Sequence, residues 1–442
     1  MKISRYSFLI ASKDGFYVYN ALSNSLLEID SEAYMFLKRN QENNETVNLA
    51  ILDDLSRDLL IDNKIITEND EDDFLIYKSS ILNLRAQNEG MHLTIAPTMN
   101  CCFNCHYCFE KVKGGNVMSE QTMDAILKFV MSHKSLKHLR LTWFGGEPLM
   151  AVDAIALFYN KLKNLLPQEI AFSSNIITTG YHLDKKAVQI LDHAKVSSMQ
   201  ITLDGLKDTH NKVKHLSECD DVFSKVINNI YNASNWAPHI SIVIRVNLTK
   251  DNAREYPELC NLLSRRFNGL KNISISPAFV LDRSATPTKC ALFTRSSLTK
   301  YLFELVSNNI DSPFFRYPKS YFSECAIRNA NAVSFDPEGY AYKCWENIGN
   351  KEYAVWKLNQ QGIPEDINRK LYNRHMYGAD PLDDPICSKC KYLPICAGGC
   401  PIQRIENKFE GHHNDLCTYY KGCVDKFIQI HIERKKSGFN NY

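Results

Sequence analysis

The sequence predicts an α/β protein built on a parallel βα array, closed or partly closed like a barrel, and three observations predict it. Six apolar runs of strand length, "HLTIAP", "HLRLTWFG", "IAFSSNIITT", "MQITLDG", "ISIVIRVNLT" and "ISISPAFV", recur between about Met91 and Val280. The segments between them have helical patterning: in "SEQTMDAILKFVMSHK", Met123, Ile126, Leu127 and Val130 share one face. The third observation is where the unusual residues fall. "TMNCCFNCHYCFE" (98–110) and "GGEP" (145–148) both follow a strand, and in a βα array the loops after the strands carry the chemistry.

Ahead of the array, the first 85 or so residues read as three short strands, "YSFLIAS", "FYVYNAL" and "SLLEID", with a hairpin signal at Asp14-Gly15. Asp30 or Ser31 caps a helix over "SEAYMFLKR", and Leu49, Leu52, Leu55 and Leu59 form a helical stripe that ends at Asp62-Asn63. Strands, then helices, then the charged "NKIITENDEDDF" suggest a small winged-helix-like module. Behind the array, "RSSLTKYLFELVSNN" reads as a helix, and residues 321–430 are cysteine-rich and turn-rich with little periodicity.

The chain has 442 residues, enough for two or three domains. Its 52 basic and 50 acidic side chains leave a net charge of +2, which gives no general pull towards nucleic acid or anionic membrane. "MKISRYSFLIASKDGFYVYN" is neither a signal peptide nor a membrane span, and no later run reaches the roughly 18 apolar residues a span needs. These features predict a cytoplasmic protein. In a reducing compartment, fifteen cysteines are not expected to be disulfides.

Cys101, Cys105 and Cys108 form C-x3-C-x2-C, which lets one loop hold three irons of a cubane cluster and leaves the fourth iron open. Zinc is the alternative, but its four-ligand sites usually pair C-x2-C knuckles, and His106, lying between two of the cysteines, would have to turn back on the same loop to be a fourth ligand. Cys102, Cys219, Cys260, Cys290 and Cys423 are scattered and read as small buried hydrophobes.

The cysteine loop with its aromatic Tyr107, followed by Gly145, Gly146, Glu147 and Pro148, resembles the radical S-adenosylmethionine (SAM) enzymes. The C-terminal part resembles their SPASM extension: Cys325, Gly339, Cys344, Cys387, Cys390, Cys396, Cys400 and Cys417 stand in its pattern. The resemblance implies a partial (β/α)6 radical SAM barrel at residues 89–285, a winged-helix-like precursor-recognition module at 1–88, a connector at 286–320 and a SPASM domain at 321–435. It implies that SAM binds the open iron and is cleaved to a 5'-deoxyadenosyl radical, which takes a hydrogen atom from substrate. Gly146 and Glu147, with Gly145, would face the methionine amino group, Tyr107 would lie near the adenine and Thr202 would touch the nucleoside. Lys214 stands where an arginine would help hold the carboxylate, and Arg245 is the other candidate for that role. Lysine keeps the charge but lacks the bidentate fork.

Two auxiliary 4Fe-4S clusters are also implied, one on Cys387, Cys390, Cys396 and Cys417, the other on Cys325, Cys344 and Cys400. With the SAM-binding cluster this makes three. A zinc ribbon is the alternative for Cys387 to Cys400. The second set is one ligand short: sulfatase-maturing relatives have a cysteine where this chain has Lys319, and either an open iron or Cys290 would complete it.

The expected function is modification of a ribosomally made peptide, with a thioether or other cross-link as one outcome. Its partners would be a precursor peptide with a leader segment and a low-potential electron donor such as flavodoxin or ferredoxin, with no nucleic acid and no membrane. The alternatives are an anaerobic sulfatase-maturing, formylglycine-forming enzyme and a non-catalytic iron-sulfur relay or peptide-binding protein. Sulfatase maturases place an aspartate base directly after the cysteine matching Cys344; this chain has Trp345 there, which cannot accept a proton, and then Glu346 as a weaker candidate base.

Overall fold

The computed structural model describes every residue except 44, 111, 281–291, 309, 311–316, 321, 323–324 and 438–442. It divides into two compact units, one formed by Met1–Ala86, Thr294–Cys325 and Ala379–Tyr442, the other by Gln87–Phe293 and Ala326–Gly378.

The first unit begins with β1 (Lys2–Ile3), β2 (Ser7–Ser12), β3 (Gly15–Asn20) and β4 (Ser25–Ile29), then helices α1 (Ser31–Asn43) and α2 (Asp54–Asp62), strand β5 (Ile66–Thr67) and helix α3 (Asp70–Ala86). β2, β3 and β4 form an antiparallel meander, and β1 pairs with β5. Ser12 opposes Gly15, whose φ of 140° is the left-handed geometry the hairpin needs. Asp30 caps α1 by accepting from Ala33 N at 2.7 Å.

The expected leucine stripe is broken. Leu49 lies in a short 3-10 turn, Asp53 caps a new helix by accepting from Ser56 N, and Leu55 and Leu59 end up exposed. The cap at Asp53 decides this, because it starts a helix whose phase is independent of Leu49.

The second unit holds β6 (Gly90–Ile95), α4 (Glu120–Ser132), β7 (His138–Trp143), α5 (Val152–Leu165), β8 (Ala171–Thr178), α6 (Lys185–His193), β9 (Val196–Leu203), α7 (Lys207–Val213), α8 (Val222–Trp236), β10 (Ser241–Leu248), α9 (Tyr256–Arg266) and β11 (Ile273–Phe279). All six strands pair in parallel and in chain order, as alternation of strand and helix predicts. Their buried faces carry Met199, Ile201, Leu203, Ile242, Ile244 and Val246, and α4 adds Met123, Ile126, Leu127 and Val130. Ser119 and Asp184 cap α4 and α6 with side-chain oxygens.

Past the connecting helix α10 (Arg295–Ser307) of the first unit, β12 (Ala332–Phe335) joins β6 in parallel. β13 (Tyr340–Tyr342), β14 (Trp356–Leu358) and β15 (Pro364–Glu365) follow it antiparallel, giving one ten-stranded sheet. Sequence periodicity missed these strands, which are too short for alternation to register. The short helices α11 (Arg369–Asn373) and α12 (Leu393–Cys396), then α13 (Pro401–Phe409) and α14 (Val424–Lys436), complete the chain. No helix among the described residues is long and apolar enough to cross a membrane.

Ile126 has none of its side chain exposed, so Ile126→Ala is expected to cost about 2–5 kcal/mol through lost burial and a residual cavity. The check is the unfolding midpoint of the variant against the unaltered protein in urea.

Candidate active site

The cysteine loop starts where β6 ends, and the "GGEP" loop starts where β7 ends. The pairing of the two strands continues into both loops: Phe144 N donates to Ile95 O, Gly146 N to Thr98 O and Glu147 N to Asn100 O, at 3.0, 3.2 and 2.7 Å. This approach requires glycine. A Cβ on Gly146 would stand 2.3 Å from Asn100 O and 2.5 Å from Met99 O, and one on Gly145 would stand 2.5 Å from Thr98 O. Gly145 also has a φ of 111°.

Glu147 is wholly buried. One carboxylate oxygen accepts from Leu149 N and Thr178 Oγ1, the other from Thr179 N and Thr179 Oγ1, at 2.6–3.0 Å. The carboxylate therefore ties the end of β7 to the end of β8, and four donors compensate its burial. Thr178 and Thr179 were not singled out from sequence, although they close the run "IAFSSNIITT".

Cys101, Cys105 and Cys108 are free, half-buried thiols on this one loop. Cys108 N donates to Cys105 O at 3.1 Å, and Lys113 Nζ braces the loop from Phe103 O at 2.8 Å. Cys101 is held down at about 7, first by a hydrogen bond from the neighbouring Cys102 thiol and also by the Phe103 N–H. Cys102 is itself half-buried. Glu110, at the end of the loop, is buried, and that burial pushes its carboxyl up to about 8.

Tyr107 lies at the ends of β9 and β10. Its hydroxyl donates to Asp204 and accepts from Asn247 Nδ2 at 3.1 Å. Lys214 is buried with Asp204 in a 2.8 Å ion pair; its Nζ is also 3.4 Å from Tyr107 Oη and 3.7 Å from Cys105 Sγ. Burial alone would raise the Asp204 carboxyl, but Lys214 and His210 beside it hold it below the usual carboxylate range. Asn252 fixes the same corner, donating to Asp204 O at 2.7 Å and Asn247 O at 2.9 Å. Asp204 was the missed residue here, and its signal was present: a carboxylate directly after the apolar strand run in "QITLDG".

Thr202 and Arg245 are paired in register on β9 and β10. Both point away from the buried face: Thr202 is half-buried, Arg245 is exposed, and Arg245 Nε donates to Asn247 Oδ1 at 3.2 Å. Beyond the cysteine loop, Phe109, Phe144 and Trp345 stack in series with centroid distances of 6.1 and 5.7 Å. Glu346 is half-buried in the short turn after Cys344.

Of the remaining cysteines, Cys344 belongs to the second unit and Cys325, Cys387, Cys390, Cys396, Cys400 and Cys417 to the first. Arg404 Nη1 donates to Cys387 Sγ at 3.4 Å and to Gly398 O at 3.1 Å, while Lys421 Nζ donates to Cys417 Sγ at 3.1 Å. Burial pushes the Cys396 thiol up. Lys319 is exposed, and Cys290 lies outside the described residues. Among the described residues no three His, Cys, Asp or Glu side chains converge to hold a single metal ion; the ligands of a cubane sit on different irons and share no such point.

Because the Gly146 contact is backbone on backbone, Gly146→Ala is expected to displace the start of the cysteine loop. The iron retained after anaerobic reconstitution should fall relative to the unaltered protein, while far-ultraviolet circular dichroism stays unchanged.

Residues 95–263 match the family model of the radical SAM superfamily. A cysteine-type anaerobic sulfatase-maturating enzyme of Clostridium novyi is 21% identical over 364 residues, covering 77% of this chain and 96% of the relative. Among solved structures, native anSMEcpe with bound AdoMet and Kp18Cys peptide is similar in fold, with a TM-score of 0.58, 19% identity and coverage of 80% of this chain and 100% of that one. Streptococcus suis SuiB bound to precursor peptide SuiA is similar with a TM-score of 0.53 and 16% identity, covering 94% of this chain and 99% of the other. The domain implies SAM and a 4Fe-4S cluster. The donor set fits both: three free thiols on one loop, a glycine-walled backbone beside them, and polar strand ends at Thr202 and Arg245. Residues 95–263 therefore form a radical SAM domain, in a chain that is similar over most of its length to a sulfatase-maturating enzyme.

Proposed function

We propose that this enzyme modifies a ribosomally made precursor peptide. The likeness to peptide-bound SuiB carries the reading, because it extends over 94% of this chain and so takes in most of the N-terminal residues as well as the barrel. In the first unit, β4 pairs with β3 on one side and with no other strand among the described residues. A leader segment would add there as a further strand, held by backbone hydrogen bonds.

Cys101, Cys105 and Cys108 would hold the SAM-binding cluster, and Cys387, Cys390, Cys396 and Cys417 an auxiliary one. SAM bound at the first supplies, on one-electron reduction, a 5'-deoxyadenosyl radical that abstracts hydrogen. The chain's own residues provide position. Gly145 and Gly146 bring backbone against the cysteine loop, Thr202 and Arg245 offer polar contacts at the strand ends, and Phe109, Phe144 and Trp345 wall the loop with apolar surface.

A second reading, formylglycine formation, is favoured by the Clostridium novyi relative, 96% of whose length is covered. Against it stands Trp345, where a base would be needed.

Anaerobic co-expression with short open reading frames adjacent to the gene, followed by peptide mass spectrometry, separates the two. Loss of two hydrogens from a leader-bearing peptide supports the proposal; formylglycine made from a sulfatase-derived cysteine peptide, with no change in any neighbouring peptide, overturns it. Removing the leader from the modified peptide is expected to lower turnover by about tenfold or more, the equivalent of 1.4 kcal/mol of lost binding. Alanine at Cys101, Cys105 or Cys108 is expected to abolish 5'-deoxyadenosine formation, measured chromatographically, while most of the C-terminal iron stays in place.

A further inference from the structure

Lys214 follows α7 with its side chain only 3% exposed and its partner Asp204 only 1% exposed. Burying a cation is costly unless its donors are used, and three polar contacts of this ammonium have a defined place. One is the 2.8 Å ion pair to Asp204 Oδ2. One is the Tyr107 hydroxyl at 3.4 Å, and the third is Cys105 Sγ at 3.7 Å. Asp204 is itself fixed, by Tyr107 at its other oxygen and by Asn252 at its carbonyl. The anchor leaves the lysine directed at the sulfur.

The other cysteine set repeats the device. Arg404, bound to Ala379 O, Gly398 O and Asp384, donates to Cys387 Sγ at 3.4 Å, and Lys421 donates to Cys417 Sγ at 3.1 Å. Cys423, outside both sets, behaves differently: its own thiol donates to Tyr419 O at 3.1 Å. A cation thus stands beside sulfurs of the sets, whereas the structural thiol uses a carbonyl.

We propose that Lys214 is a positioning residue for Cys105 and, anchored by Asp204, tunes the cluster bound by that loop, instead of receiving the SAM carboxylate. This rests on the cluster reading of Cys101, Cys105 and Cys108. A cation and an N–H donor at a cluster sulfur stabilise the state with one more electron, so the lysine raises the reduction potential. No bond is made or broken and no proton moves; the effect is electrostatic.

The test uses the full chain, reconstituted anaerobically with iron and sulfide. Redox titration followed by electron paramagnetic resonance, without SAM, tracks the signal that Cys105→Ala removes, and equilibrium dialysis gives the SAM dissociation constant. Lys214→Gln is expected to lower the midpoint potential while changing the SAM dissociation constant by less than about threefold; losing a carboxylate contact would weaken binding by about tenfold or more. Asp204→Asn with Lys214→Gln removes both charges and keeps hydrogen-bonding groups, so it carries the measurement if the single variant fails to fold. Lys214→Arg should restore the potential. An unchanged potential with SAM binding weakened tenfold in either glutamine variant overturns the proposal, as does a midpoint potential that rises. A wild-type protein that forms no iron-sulfur chromophore would instead overturn the cluster reading itself.

Discussion

The site depends on one close approach: the "GGEP" backbone lies directly on the residues that open the cysteine loop. Gly146 N bonds to Thr98 O and Glu147 N to Asn100 O, and both glycines are so close to carbonyl oxygens that no Cβ fits. Hydrogen bonding between the two chain segments is thereby carried past the ends of β6 and β7 as far as Asn100, the residue before Cys101. The start of the loop is thus held in place by backbone contacts, which is the kind of preorganisation that precise chemistry needs.

From that contact, buried polar groups run outward along the strand ends. Glu147 accepts four hydrogen bonds and couples β7 to β8. Tyr107, Asp204, Lys214, Asn247 and Asn252 couple the cysteine loop to β9 and β10. Each carboxylate or ammonium in this set has its partner, as it must in a low-dielectric interior, where a single unpaired group would cost several kcal/mol. The network serves specificity of geometry more than stability. It places the thiols, the aromatic Tyr107 and the polar Thr202 and Arg245 at the same end of one sheet.

The first unit follows other rules. Residues 1–86, 294–325 and 379–442 pack as one body, so its N-terminal meander and its C-terminal cysteines share a core although they are far apart in sequence. Arg85 pairs with the buried Asp380, and Tyr77 lies against Phe322 with ring centroids 5.8 Å apart.

By itself the sequence determined the six parallel strands, because a run of apolar residues of strand length between amphipathic helices has few other solutions. It also determined that three thiols fall on one loop, because C-x3-C-x2-C is a local pattern within one short segment. Tertiary structure decided what local patterns cannot encode. The leucine stripe from Leu49 to Leu59 gave way to the cap at Asp53, and β12 to β15 exist because β6 offers an unpaired edge to a segment more than 230 residues later. Lys214 is the sharpest case: its position in the sequence suggests a free cation waiting for a carboxylate, yet the fold supplies Asp204 first. Which charge meets which is settled by burial and by the crossing of chain segments distant in sequence, and neither is written in spacing.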